Sequence, residues 1–238
     1  MAGDFNPIYY LLIFAVMRRY LLEAIGTFAL VLVGCGSMVL DEVTHGGVGP
    51  LGVSLAFGGI VFLVIAAIGN QTGAHINPAV SIAFWRAGRL SKRDLGYYIF
   101  FQLFGAFIAS IILRIFFPES CELGNTYAHT GTLNTAFIEF GITFGLMFTI
   151  HLLSSVAQLK LILIALGVGL YVGLACYFFG PVTNASMNPA RSIGPNLVNG
   201  NLSNLWLYIA MPILGAWLAT PTCRLFWGNT CCYPTNSC

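Results

Sequence analysis

Two copies of Asn-Pro-Ala, Asn77-Pro78-Ala79 and Asn188-Pro189-Ala190, stand in a chain that is otherwise almost entirely apolar. Each tripeptide reads as the start of a helix, because Asn is a strong N-cap and Pro is favoured at the first helical position. Each start falls deep inside an apolar region, where a membrane-spanning helix should not begin. Two helix N-termini at that depth present unpaired N–H groups and about half a positive charge each. Such a site makes and breaks no bonds. It holds a polar molecule by its oxygen, repels cations, and marks a pore or a binding site within the bilayer. Arg191 follows the second tripeptide directly. A charged Arg facing lipid costs at least about 2.5 kcal/mol, so this one is expected to face water. Glu23 and Glu139 are the other expensive groups.

The elements that position these residues follow from composition. The chain has 238 residues, 58% hydrophobic and 8% charged, where a soluble domain carries about 25% charged residues. That deficit excludes a water-soluble surface and implies an integral membrane protein. The net charge of +2 includes no basic run for nucleic acid. There is no nucleophile–base pair, no catalytic residue, no metal motif and no cofactor-binding motif. A spanning helix needs about 20 apolar residues, and six stretches qualify, at about 20–40, 51–69, 95–115, 133–154, 161–180 and 205–226. A short apolar stretch, Ile8 to Val16, precedes Arg18 and Arg19 and reads as an interfacial lead-in to the first span. It lacks the preceding basic residue and the cleavage site of a signal peptide.

Lys and Arg set the orientation. Arg18, Arg19, Arg86, Arg89, Lys92, Arg93, Lys160 and Arg224 all fall on one side, which places both termini in the cytoplasm, with the cell membrane as the expected location. Asp41, Glu42, Glu119 and Glu122 fall on the other side. Arg114, at the outer end of the third span, is expected to snorkel. Four of the seven cysteines, Cys223, Cys231, Cys232 and Cys238, cluster at the C-terminus. On a cytoplasmic tail they are expected to be reduced, with palmitoylation as the alternative; their spacing is poor for zinc.

The chain repeats itself. Glu23 is followed by Thr27-Phe28, and Glu139 by Thr143-Phe144 at the same offset. Gly69 precedes Asn77 as Gly180 precedes Asn188; Ala74 matches Ala185 and Ser81 matches Ser192. The repeats run over about 18–115 and 133–227, joined by a polar segment with Pro118, Gly124, Asn125 and Gly131. The expected organisation is an N-terminal cytoplasmic or interfacial segment, 1–17, a single channel domain, 18–227, and a Cys-rich tail, 228–238. Three spans per repeat turn the second repeat upside down, which places the functional site near the midplane. From Pro78 to Trp85 is about eight residues, roughly 12 Å, under half of a hydrocarbon core of about 30 Å. Each tripeptide therefore opens a re-entrant half-helix, and the two meet tip to tip. The carbonyls of Gly73, Ala74, His75, Asn184 and Ser186 become free acceptors along the path. Gly141 with Gly145, and Gly169 with Gly173, have the small-xxx-small spacing of close helix packing.

At these residues the chain resembles the aquaporin, or major intrinsic protein, family. The resemblance runs from Glu23 to about Gly215. It includes Gly34-Cys35-Gly36-Ser37, Gly73-Ala74-His75-Ile76-Asn77-Pro78-Ala79-Val80 and Asn188-Pro189-Ala190-Arg191-Ser192. The run from Gly180 to Met187 and Ser192-Ile193-Gly194-Pro195 look closest to nodulin-like channels and their bacterial relatives. The resemblance implies an all-α membrane protein: a right-handed bundle of six transmembrane helices and two half-helices, assembled as a homotetramer with one passive pore per subunit. It implies that Asn77 and Asn188 donate to a passing oxygen, and that Glu23 and Glu139 hold the re-entrant turns. It implies a constriction formed by Phe57, Cys176, Ala185 and Arg191. Strictly water-selective members usually carry His at the position of Cys176; glycerol channels tend to have Trp at that of Phe57 and Asp at that of Ser192. The set is intermediate. It implies passage of water, and of small neutral solutes such as glycerol, hydrogen peroxide, ammonia or metalloid hydroxides, without ions or protons. A channel mainly for such solutes is the alternative reading. A secondary transporter also suits inverted repeats, but the boxes offer amide donors rather than an ion site. Arg191 and the helix N-termini oppose a cation channel.

Overall fold

The structure is a computed structural model that describes residues 7–156, 159–228 and 231. Among the described residues every regular element is helical. The first span is α1 (Pro7–Leu30), a π-helical turn (Val31–Cys35) and α2 (Gly36–Val43), continuous with one another. Then follow α3 (Gly49–Thr72), α4 (Pro78–Arg86), α5 (Lys92–Phe116), α6 (Thr132–Ser155), α7 (Leu161–Thr183), α8 (Pro189–Asn199) and α9 (Leu205–Trp227). Six helices are long and apolar enough to cross a membrane. The lead-in is helical and joins the first span without a break at Arg18, because neither arginine interrupts an α-helix. We call the face that carries the chain ends proximal and the opposite face distal.

The flanks of the bundle are apolar, and its polar groups are drawn inward among a mostly apolar core. Leu55, Phe100, Phe137 and Leu170 are exposed on its flanks, whereas Glu23, Gln102, Glu139 and Arg191 are buried. That inversion fits a lipid solvent, which rewards internal satisfaction of every polar group. The helix pairs close through glycine. A Cβ on Gly58 of α3 would lie 2.7 Å from the carbonyl oxygen of Gly169 on α7, and one on Gly169 equally close to that of Gly58. A Cβ on Gly105 of α5 would fall on the carbonyl of Ala24 in α1. By contrast a Cβ on Gly141 would meet nothing within 4 Å, whereas one on Gly145 would fall on the Tyr171 hydroxyl, so only Gly145 of that pair is required for close packing among the described residues. We predict that Gly105→Val lowers the temperature at which the detergent-solubilised protein loses its monodisperse size-exclusion peak by several degrees, since overpacking costs about 1–3 kcal/mol. Gly96→Ala, on the same helix with open space around it, leaves that temperature unchanged.

Arg114 turns to the distal loops beyond its span: Nη1 donates to the carbonyl of Ser120 at 2.8 Å and Nη2 to Asn199 Oδ1. One expectation for the sulfur groups changes. Cys223 and Cys231 are not free thiols but a disulfide, with Cα atoms 5.9 Å apart, because the chain turns back at Gly228 (φ 59°). The bridge packs against Ala87 beyond the end of α4, and Arg224 donates to the Ala87 carbonyl at 2.9 Å. Cys232 and Cys238 lie outside the described residues.

Candidate functional site: the paired half-helix turns

Asn77 and Asn188 cap α4 and α8. The Asn77 side-chain oxygen accepts from Ala79 N at 2.9 Å, and that of Asn188 from Ala190 N at 3.0 Å and Arg191 N at 3.4 Å. With Pro78 and Pro189 at the first helical positions, each half-helix starts from a fixed φ and a satisfied donor. The α4 and α8 helices are about 14 and 17 Å long, so neither spans alone. The tips lock across the pseudo-two-fold: Asn77 Nδ2 donates to the Met187 carbonyl, and Asn188 Nδ2 to the Ile76 carbonyl, both at 2.8 Å. An amide carries two N–H donors, so each Asn keeps one for another acceptor. Ala79 and Ala190, wholly buried, let the helices sit this close.

The stretches leading to the caps are strained. Ala74, Ile76, Asn184, Ala185 and Met187 all have positive φ, between 40° and 63°, a region that costs a side-chain-bearing residue of order 1–3 kcal/mol. Two buried carboxylates offset this. Glu23 accepts from His75 N (3.0 Å) and Ile76 N (2.7 Å), and also from Gln102 Nε2 (2.9 Å). Glu139 accepts from Ser186 N (2.9 Å), Met187 N (3.0 Å) and the Thr183 hydroxyl (2.8 Å).

A supporting set escaped the sequence reading. Thr72 and Thr183 end α3 and α7, and each hydroxyl accepts from the N–H two residues on, Ala74 at 2.8 Å and Ala185 at 3.2 Å. Tyr98 and Tyr208 donate to the carbonyls of the same two threonines, at 2.7 and 2.9 Å. The threonines carry a usable signal, since each precedes its Asn by the same interval. Ser81 and Ser192, matched in the repeat, hold the side chains of His75 (3.1 Å) and Ser186 (2.6 Å).

A cavity of about 60 Å³ runs past these turns, large enough to hold water. One side is polar: Ala74, His75, Asn77, Ser186, Asn188 and Arg191. The other is apolar, with Val61, Ile65, Leu146 and Val172 among its residues. Gly73 does not border this cavity, and Asn184 borders a vestibule distal to it instead. Both are left-handed C-caps, of α3 and α7, and the Asn184 side chain accepts from Tyr127 N at 2.9 Å.

Phe57, Cys176, Ala185 and Arg191 come together at the distal end of the cavity, each less than a tenth exposed. Beyond them opens a vestibule of about 380 Å³ that includes Met38, Asp41, Glu42 and Glu122; Cys176 borders both spaces. The guanidinium of Arg191 lies over the Phe57 ring, 5.1 Å from its centroid. Nη1 donates to the Gly124 carbonyl of the linker and Nη2 to Met38 Sδ, both at 2.8 Å. Among the described residues Nε is a buried donor without a partner. Among the described residues that line the cavity, Arg191 is the charged group, at the distal end, with a donor to spare. We predict that mercurials block flux through this neck and that Cys176→Ser resists them. Cys35 is fully buried and Cys121 sits exposed on the linker, and neither borders the cavity or the vestibule.

Comparison with known proteins follows this geometry. The family profile described as major intrinsic protein matches residues 12–221. Aquaporin NIP3-1 of Arabidopsis thaliana is 37% identical over 208 residues, covering 84% of this chain and 64% of that relative's length. Aquaporin NIP1-1 of Zea mays is 37% identical over 201 residues, covering 84% and 71%. Nodulin-26 of Glycine max is 33% identical over 201 residues, covering 84% and 74%. Among solved structures, the aquaglyceroporin from Plasmodium falciparum superposes with a TM-score of 0.78 at 22% identity, covering 87% of this chain and 94% of that one, a likeness of fold.

Proposed function

The chain belongs to the major intrinsic protein family of channels, and we propose that within that family it is a passive water channel that also passes small uncharged solutes and excludes ions and protons. The observation that carries this is the crossed pair of amide bonds at the cavity centre. Each leaves an N–H to spare on an Asn that lines the cavity. A water placed there accepts from both amides, so its own hydrogens point away along the file. Proton relay needs each water to donate to the next in one direction, and a central molecule fixed this way interrupts it. The two half-helix N-termini add a positive focus of about half a charge each, and Arg191 a full one, against any cation. The apolar wall opposite makes no bond that must be broken for transit.

Selectivity rests on the distal constriction. Cys176 and Ala185 are small, and the thiol is a weak hydrogen-bonding group, so the neck passes some neutral solutes beyond water. The aquaporin names of the relatives and the aquaglyceroporin likeness of the fold support this class of permeant. The assembly is proposed to be a homotetramer in the cell membrane, from the family resemblance. Arg86, Arg89, Lys92 and Arg93, which run from the end of α4 to the start of α5, support a cytoplasmic proximal face by the positive-inside rule. Residues 18–227 form the channel unit. The test is stopped-flow light scattering of proteoliposomes under imposed gradients of an impermeant osmolyte and of glycerol. Water and glycerol entry should both exceed protein-free vesicles and rise linearly with the gradient. Saturable uptake coupled to an ion gradient would contradict the channel reading and favour a transporter.

A further inference from the structure

The first span is not a simple helix where it passes the constriction. Val31–Cys35 form a π-helical turn, a feature that recurs at functional sites. One residue inserted into a helix re-phases everything beyond it by about 100°. The turn is built into the constriction from both sides. A Cβ on Gly34 would fall on the Phe57 ring, so only glycine lets that ring lie where it does. Cys35 Sγ faces the Arg191 carbonyl at 4.0 Å. The Gly34 carbonyl accepts from the Ser37 hydroxyl at 2.7 Å. The first side chain past Ser37 is Met38, half-buried; its sulfur meets Arg191 Nη2 and it borders the distal vestibule.

We propose that Met38 is a fifth wall of the constriction and its specificity-determining residue on the first span, a proposal that rests on the channel reading above. Cys176 and Ala185 add little bulk, and Met38 borders with Cys176 the vestibule that opens onto them. A thioether is flexible and polarizable and only a weak acceptor. It holds the guanidinium in register without neutralising it, and leaves Nε as the donor offered to a solute. Water passes beside it. A three-carbon polyol must displace it, so Met38 sets the ratio of glycerol to water flux.

The test measures that ratio in proteoliposomes for the wild type, Met38→Ala and Met38→Phe. The alanine variant should raise the ratio about threefold or more and the phenylalanine variant should lower it by a similar factor, within the range that one or two methylenes command in a tight pocket. The two arms have opposite signs, so a variant that fails to fold leaves the other to decide. A wild type that conducts, with neither variant moving the ratio beyond measurement scatter, overturns the proposal alone. A wild type that passes neither solute overturns the channel reading and the proposal with it.

Discussion

Replacing Glu139 with Ala should leave almost no folded protein in the membrane. The carboxylate accepts two backbone N–H groups and a hydroxyl, all from a segment whose residues Asn184, Ala185 and Met187 have positive φ. Each stranded buried donor costs about 1–3 kcal/mol. Two stranded N–H groups, with the backbone strain they offset, compare with a whole-protein stability of about 5–15 kcal/mol, while the Thr183 hydroxyl keeps the Phe179 carbonyl at 3.5 Å. Glu139→Gln keeps one acceptor oxygen but turns an amide donor toward an N–H, so it should fold in reduced yield with the wild-type glycerol-to-water ratio. Size-exclusion of a fluorescent fusion, solubilised from membranes, gives the folded fraction. Wild-type yield of Glu139→Ala would show that the turn is held by other contacts. Loss of a pH-dependent proton current in Glu139→Gln would assign the carboxylate a relay role instead. Glu23→Ala should be less severe, because Gln102 and Ser81, already bonded at 3.0 Å, can move toward the vacated site.

The second large effect is expected at Arg191. Arg191→Val removes the charge and most of the bulk at the neck, and releases the linker at Gly124. A unit charge about 5 Å from a passing cation contributes a barrier of about 3 kcal/mol at an effective dielectric constant near 20, some two orders of magnitude in rate. Glycerol entry should rise about tenfold from the added width, and a cation leak should appear where the wild type has none. Water flux should change least, because water already fits. Vesicles loaded with a potassium-sensitive dye and followed by stopped flow report all three. An unchanged glycerol rate and no cation leak would remove Arg191 from the selectivity machinery.

What the sequence made legible is what symmetry and caps dictate. The half-helices follow from Asn-Pro chemistry in an apolar setting, and the inverted repeat from residues that recur in the same order at two nearby intervals. Glu23 and Glu139 stand out because a buried acid in a span demands partners. The rest depends on contacts between distant segments. Tyr98 and Tyr208 follow Thr72 and Thr183 at nearly equal intervals, but nothing local says that they reach back to those carbonyls, and Gln102 has no counterpart in the second repeat. The π-helical turn arises where Gly34, Phe57 and Arg191 pack together, and Met38 is aimed by it. No local residue pattern predicts either. The pairing of Cys223 with Cys231 depends on a single turn at Gly228. Gly141 kept a packing spacing without a packing partner among the described residues, since spacing alone does not say which face of a helix is covered.

The central claim is that one file of water crosses between the two Asn-capped turns while its proton conduction is broken there. Osmotic water flux and proton flux should be recorded on the same proteoliposomes, by light scattering and by an enclosed pH dye under a valinomycin-clamped potential. The account predicts water permeability well above protein-free vesicles with proton entry equal to theirs. Proton entry that rises in step with water flux, or no water flux at all, would contradict it.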